Sequence, residues 1–338
     1  MKILAIETSC DETAVAVVED GRRALADCIA SQAATHAIYG GVVPEIASRR
    51  HTEVIAHLTE QAMSQAGVTK DDIEAIAVCN TPGLIGALLV GVSFAKSLAY
   101  AWGKPLVPVH HLRGHIAAAY LAFPALEPPF TALCISGGNS CIVDVRSYTE
   151  MEILGATRDD ATGESFDKVG RVLGLPYPGG AAMDAMGQTG DDGRYALPRA
   201  VIAGHPYDMS FSGLKTASLN LIHNAQQKGE ALDVPSLCAS FGRAVSETLV
   251  PRTLACAKAL GYGKIVVAGG VAANARIRAD FEAACAEQGE LLFVPPLALC
   301  GDNGAMIGAQ GYYEFAAGVR GDLSLNGYAT SELDTPKR

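Results

Sequence analysis

One order of elements occurs twice along this chain, and a duplicated order leaves few folds open to it. The first copy opens with strand-like runs rich in Ile, Val and Ala over residues 2–10, 13–19 and 24–32. Asp11-Glu12 and Asp20-Gly21 separate them as turns. A helix is expected after Pro44, where Ile46, Val54, Ile55, Leu58 and Met63 recur at near-helical spacing. A strand over 73–80, the turn Thr81-Pro82-Gly83, a helix over 84–102, a strand over 105–109 and a helix near 114–121 complete the copy.

The second copy begins with strands over 130–136, 140–146 and 151–156, the first turn being Gly137-Gly138-Asn139. A helix over 164–173, a Gly/Pro-rich stretch and a helix over 235–260 follow. A strand over 264–268, the turn Gly269-Gly270, a helix over 272–287, a strand over 291–294 and a closing helix from Asn303 end it. The turns match as well: ETSCDETAVAVV answers SGGNSCIVDV, and CNTPGLIGALL answers AGGVAANARIR. The order is βββαβαβα in each half, an α/β layout of the actin/Hsp70/sugar-kinase (ASKHA) type. Such a fold holds a nucleotide in the cleft between its halves, with phosphates against the first turn of each. The expected divisions are an N-terminal half over 1–128, a C-terminal half over 129–325 and a tail over 326–338. An insertion near 175–235 would interrupt the second half, its Gly/Pro/Asp-rich start capping the cleft.

Composition narrows the function. With 338 residues, 49% of them hydrophobic, the chain buries a large core and is neither disordered nor fibrous. A formal net charge of −10 opposes coating nucleic acid by bulk electrostatics, leaving one local basic patch or a partner's surface. Arg49, Arg50, Arg194, Arg199 and Lys215 are the candidates for such a patch. Nine cysteines without a CxxC pair, mostly inside apolar runs, read as reduced thiols of a cytoplasmic protein. The apolar residues before Glu7 are too few for a signal peptide, and the longest apolar stretch, 83–95, is too short to span a membrane.

Three constellations carry chemistry. His111 and His115 stand four residues apart, so a helix sets both imidazoles on one face where they can grip one metal; the bland alternative is a polar helix start. Asp302, at the matching place of the second half, would add a carboxylate across the cleft. Two histidines and a carboxylate with open positions suit Fe(II) or Zn(II) better than Mg(II). The turns Ser136–Asn139 and Gly269–Asn274 follow apolar strands and can wrap a phosphate or ribose with backbone N–H groups, or be plain turns. Neither matches GxxxxGKS/T, so a P-loop is excluded. Thr8-Ser9-Cys10-Asp11-Glu12 fills the first turn with hydroxyls and carboxylates, with Asp11 placed to act on a proton, or merely as an Asx-type turn. Asp167 and Gly180 through Asp184 are further polar points. His36, His51, His57 and His205 show no partner pattern and read as surface or packing residues.

IETSCDET, GGVVPE, TPGLIGALLVG, HHLRGH, SGG, ATGESFDKVGRVLGLPYPGG, FSGLKTA, GGVAAN and CGDNGAMI occur in the order in which a known family carries them. From residue 1 to about 325 the chain resembles the TsaD (Gcp, YgjD) family of bacterial tRNA N6-adenosine threonylcarbamoyltransferases. The resemblance implies transfer of the threonylcarbamoyl group of threonylcarbamoyl-AMP to N6 of adenosine 37 in tRNAs reading codons that start with A, releasing AMP. It implies that His111, His115 and Asp302 hold a metal, usually iron (Fe2+). It places Ile135, Ser136, Gly137, Gly138 and Asn139 in the substrate-holding turn, makes Asp167, Gly180, Asp184 and Asn274 further substrate contacts, and sets Asp11 at the phosphate-side turn. TsaB and TsaE are the implied partners, with TsaC supplying the donor. The helix over 44–58 would serve as a docking or a core element. Two departures stand out: Asn139-Ser140 where the family pattern has His-Thr, and Leu197-Pro-Arg-Ala200 where it has FPRP.

Three other classes compete. A zinc protease needs the Glu of HExxH, and Leu112 stands in that place. A small-molecule kinase of the same fold would not require His111 and His115. A nucleotide-gated scaffold would need no catalysis at all.

Overall fold

The computed structural model describes residues 1–334; positions 335–338 of the expected tail lie outside the described residues. Along the chain run β1 (Lys2–Glu7), β2 (Glu12–Glu19), β3 (Arg23–Ser31), α1 (Ala33–Ala37), α2 (Pro44–Ala66), β4 (Ala75–Thr81), α3 (Ile85–Trp102), β5 (Leu106–His110) and α4 (His111–Ala122). They continue with β6 (Phe130–Ile135), β7 (Ser140–Val145), β8 (Met151–Ala156), α5 (Thr162–Val172), α6 (Gly179–Gly187), α7 (Ser212–Lys228), α8 (Val234–Leu260), β9 (Lys264–Ala268), α9 (Ala275–Gln288), β10 (Leu291–Phe293) and α10 (Gly304–Ala316). The chain forms two compact units. The first takes Met1–Pro128, Val145–Glu152 and everything from Pro295; the second takes Pro129–Asp144 and Ile153–Val294.

The first unit is built on a sheet of order β3-β2-β1-β4-β5, antiparallel across β3, β2 and β1 and parallel across β1, β4 and β5. β1 and β4 lie inside it and are covered on both faces, which is why they read as unbroken apolar runs. β3 is an edge strand with one wetted side and alternates instead. On one face α2 and α3 bury Ile55, Leu58, Val92 and Ala95 against Leu4, Ile6, Val15 and Val78. Pro44 opens α2, and Gly67, in the left-handed region at φ +65°, closes it. The expected docking helix therefore presents a core face, through Ala47, His51, Ile55, Leu58 and Ala62. α3 is long and apolar enough to cross a membrane by length and composition, but Ala87, Leu88, Gly91 and Val92 are buried in this core.

The other face carries α10, whose Met306 and Ile307 pack on Ile3, Ala5, Ala77 and Val109. The closing helix was expected within the half 129–325, and this is a correction: the chain from Pro295 belongs to the first unit. The cause lies in small residues. A Cβ on Gly304, Gly308 or Gly311 would stand 2.7, 2.5 or 2.6 Å from Ala16, Val18 or Ala77, so the glycine stripe lets α10 lie hard against the sheet. Linear segmentation of a duplicated order cannot see which sheet a helix joins.

The second unit repeats the plan, with order β10-β9-β6-β7-β8 and parallel pairing of β6, β9 and β10. The duplicated α/β architecture is thus present in both units. The segment read as an insertion holds two helices, α6 and α7. All nine cysteines are free thiols, eight of them buried.

Asp27 on β3 fastens α10, accepting the Gly304 N–H at 3.0 Å at the helix's first turn. Burial pushes its carboxyl up to about 6, against the pull of the Gly304 and Ala305 N–H groups. The native state therefore holds this proton more tightly than the unfolded chain, and stability falls as pH rises from about 4 to about 6. Asp27→Asn keeps an acceptor oxygen without the charge. Chemical denaturation across that window should show the slope flattened, by on the order of 2 kcal/mol in total, with Tm raised at pH 7.

Candidate functional site

β5 ends in His110 and turns directly into α4, so His111 and His115 occupy the first two turns of one helix on one face. The loop before α10 brings Asp302 to them. Its Oδ1 lies 3.5 Å from His111 Nε2 and 3.2 Å from His115 Nε2, and the two rings meet edge to face at 4.5 Å. The three sequence-proposed ligands are thus together, and all belong to the first unit. Asp302 was expected to reach across a cleft from the other half; the return of the chain at Pro295 replaces that route.

The set fits a metal ion. Three ligand atoms lie within 4.8 Å of one another. His115 is fully buried, its Nδ1 has no hydrogen-bond partner among the described residues, and its Nε2 faces Asp302 without hydrogen-bond geometry. A desolvated ring left in this way is costly unless something else engages it. Two imidazoles and one carboxylate are the donors that Fe(II) and Zn(II) take, with positions left open.

Charge follows the geometry. Burial pulls the His111 imidazolium down, but Asp302 and Glu7 outweigh it and lift it to about 9. Burial drives Asp302 up, yet His111 and then His115 hold it at about 2. His110, one residue away, goes the opposite way to about 3 through burial and the charges of Arg113 and His111. Arg113 sits buried between the two ligands, its Nη1 2.8 Å from Glu314 on α10, and ties the two ligand-bearing segments together.

Three residues given no individual role from sequence complete this corner. Glu7, at the end of β1, is fully buried with Oε2 3.0 Å from His111 Nδ1. Glu12 lies beside Asp11; burial, then Asp11 and Asp302, push its carboxyl well above the usual carboxylate range. His51, left earlier as a surface or packing residue, accepts a hydrogen bond at Nδ1 from Thr13 Oγ1 at 2.8 Å and donates through Nε2 to the Cys10 carbonyl at 3.0 Å. It pins the turn that carries Asp11, itself buried. Glu7 was hidden in an apolar strand, where a lone carboxylate is the one available signal.

The second unit gathers the remaining candidates. The turn after β6 closes through Asn139, whose N–H donates to Ser136 Oγ at 3.2 Å and whose carbonyl accepts the Ser136 N–H at 2.8 Å. Gly137 and Gly138 are exposed, with nothing near where a Cβ would stand. Gly269 (φ +94°) passes so close below that a Cβ would lie 2.3 Å from the Ile135 carbonyl. The Gly180 N–H donates to Asp167 at 3.3 Å, and the Ala275 N–H to Asp184 at 3.0 Å, next to Asn274, which caps α9. Phe166, Met183, Asp184, Asn274 and Arg276 line a cavity of about 360 Å³ beside these groups.

The basic candidates are neutralised. Arg49 pairs with Glu45 at 2.6 Å, Arg50 with Glu53 at 2.5 Å, Arg194 with Asp233 at 3.4 Å and Lys215 with Asp160 at 2.5 Å, while Arg199 pairs with Glu247. No free positive patch comes from these five residues.

Paired 3-2-1-4-5 sheets define a two-unit protein of the ASKHA fold, here with a buried two-histidine, one-carboxylate centre in the first unit. Solved structures agree on the fold. Full-length HypF in its phosphate- and nucleotide-bound form matches 98% of this chain with 47% of its own, at TM-score 0.61 and 14% identity. ROK hexokinase from Thermus thermophilus matches 93% of this chain with all of its own, at TM-score 0.50 and 16% identity. The model of the TsaD family, tRNA N6-adenosine threonylcarbamoyltransferase, matches residues 23–309. Relatives carrying that enzyme name are 47% identical in Staphylococcus saprophyticus, over 98% of this chain and 96% of theirs, and 50% identical in Moorella thermoacetica, over 96% and 95%. One from Latilactobacillus sakei is 51% identical over 99% and 96%. The chain belongs to the TsaD family.

Removing ligand nitrogens tests the centre. His111→Ala and the double change His111→Ala, His115→Ala should keep the parent's circular dichroism, lower Tm by leaving Glu7 and Asp302 without their imidazole partners, and take bound metal below detection by elemental analysis. Full occupancy in the double variant would contradict the assignment.

Proposed function

We propose that this chain transfers the threonylcarbamoyl group of threonylcarbamoyl-AMP to N6 of adenosine 37 in tRNAs reading codons that start with A. The observation that carries it is the joint presence of the family's ligand triad and its nucleoside-side groups in a chain about half identical to its relatives over nearly full length. As a TsaD member the chain is an acyltransferase of tRNA. Its HxxxH has buried Leu112 where a zinc protease needs its glutamate base.

The donor is a mixed carbamic–phosphoric anhydride, already activated, so placement and charge stabilisation matter more than a strong nucleophile. Adenine N6 attacks the carbamoyl carbon, the new N–C bond forms, the bond from that carbon to the phosphate oxygen breaks, AMP leaves and N6 loses a proton. His111, His115 and Asp302 would hold the cation, Fe2+ by resemblance with Zn2+ chemically equivalent as a ligand match. When bound, it supplies Lewis-acid polarisation of the anhydride and neutralises charge on the leaving phosphate.

The protein's own groups do the rest. The open N–H groups of Gly137 and Gly138, in the turn from Ile135 to Asn139, orient the donor without side-chain obstruction. Asp167 and Gly180, with Asp184 and Asn274, shape the side that receives its nucleoside. Asp11 takes the N6 proton, held in place by the turn that His51 pins. Because Arg49, Arg50, Arg194, Arg199 and Lys215 are paired within the chain, we assign most tRNA attraction to the assembled complex. TsaB and TsaE enter here from the family resemblance, with TsaC supplying the donor and the cytoplasm as the compartment.

Incubating the metal-loaded chain and these partners with donor and unmodified tRNA, then analysing nucleosides by mass, should give threonylcarbamoyladenosine and equimolar AMP. Unmodified adenosine with donor intact would overturn the reading. The nucleotide part has its own check in two glycines. Gly270 faces open space, so Gly270→Val should leave Tm unchanged yet remove the Tm rise that an adenylate gives the parent. Gly269→Ala, strained and 2.3 Å from a carbonyl, should lower Tm itself.

A further inference from the structure

His111 has two sides, and each faces a different group of possible ligands. Its Nε2 looks toward Asp302 and His115, while its Nδ1 looks toward Glu7 and Cys79. Both triplets bring three ligand atoms within 4.8 Å, so geometry alone offers two places for a cation on one ring. One imidazole cannot serve both with neutral nitrogens while keeping an N–H.

The partners of Glu7 decide between them. Oε1 accepts the Ser9 N–H, and Oε2 stands 3.0 Å from His111 Nδ1. Ser9 Oγ lies 3.2 Å from that same nitrogen, and the Cys79 thiol points its hydrogen bond elsewhere, to the Thr81 carbonyl. Both oxygens are thus committed to protein donors, which leaves Glu7 nothing to direct at an ion. A fully buried carboxylate in this position is instead the acceptor an imidazole needs to hold its proton on one chosen nitrogen. We propose that Glu7 is a positioning residue: it fixes the proton of His111 on Nδ1, so that Nε2 is the nitrogen presented to the metal beside His115 and Asp302.

The residue type matters for a reason visible in the bonds. A glutamine here has one oxygen for two donors. With its oxygen on the Ser9 N–H, its NH2 would point at Nδ1 and press the ring into the tautomer with the proton on Nε2. Glu7→Gln is therefore a small change in shape and a large one in function, and an aspartate falls one methylene short of His111. The inference rests on the metal-centre reading above and concerns the orientation of one of its ligands.

Two readouts test it without assaying transfer. The first needs no variant: long-range proton–nitrogen correlation spectra of the full chain labelled at histidine nitrogen and loaded with Zn2+. His111 should show a proton on Nδ1 and a metal-shifted Nε2; a proton on Nε2 with zinc on Nδ1 would overturn the proposal. The second is Zn2+ affinity by competition with a chromophoric chelator. Glu7→Gln should bind about 10–100-fold more weakly than the parent while keeping its circular dichroism and Tm. A merely structural role would leave affinity unmoved in this near-isosteric variant. His111→Ala, run in parallel, separates the two levels. Lost binding there with parental affinity in Glu7→Gln overturns the positioning role alone; parental affinity in both overturns the metal centre and the positioning role with it.

Discussion

A carboxylate set against two buried imidazoles is the interaction on which the first unit's candidate site turns. Asp302 cannot sit beside His111 and His115 unless its negative charge is answered, and the protein answers it by drawing His111 upward to about 9 and holding Asp302 itself near 2. That buried pair occupies the place a divalent cation would neutralise more fully. Everything nearby serves the placement: α4 starts at the strand end, α10 brings the Asp302 loop, and Arg113 with Glu314 locks the two helices. Asp27 and the glycine stripe of α10 then fasten that helix to the sheet.

The second unit solves a different problem with the same topology. It holds no comparable histidine centre among the described residues; it offers backbone instead. Gly269 approaches the Ile135 carbonyl as only a residue without a Cβ can, which stacks the two glycine turns beside one another and leaves the exposed N–H groups of Gly137 and Gly138 open. Asp167, Asp184 and Asn274 are tied to helix starts and turns, so their positions follow from the fold. Duplication thus gave one scaffold two different sets of groups, a cluster of imidazoles and a carboxylate in one unit and paired glycine turns in the other.

Much of this was legible in the sequence. Unbroken apolar strands mark central strands because both faces are covered, and Lys264–Ala268, inside the second sheet, falls where expected. The i, i+4 histidines and the matched turns pointed to real neighbours. What stayed hidden has physical reasons. α10 rejoins the first sheet through contacts of Gly304, Gly308 and Gly311 that have no linear signature, so Asp302 was placed in the wrong unit. α6 begins among the glycines and prolines of residues 174–180, which read as loop. The ion pairing of Arg49, Arg50, Arg194, Arg199 and Lys215 depends on neighbours a helix or turn away, so a basic cluster in sequence became a set of neutral pairs. Glu7 and His51 act through second-layer hydrogen bonds, which sequence spacing does not encode.

X-ray absorption at the metal edge of the natively loaded protein measures the centre most directly. The account predicts two imidazole nitrogens at about 2.0–2.2 Å and at least one carboxylate oxygen, with open positions filled by light solvent or substrate atoms and no sulfur. A sulfur scatterer at about 2.3 Å would place the ion against Cys79 on the Glu7 side of His111 and contradict it.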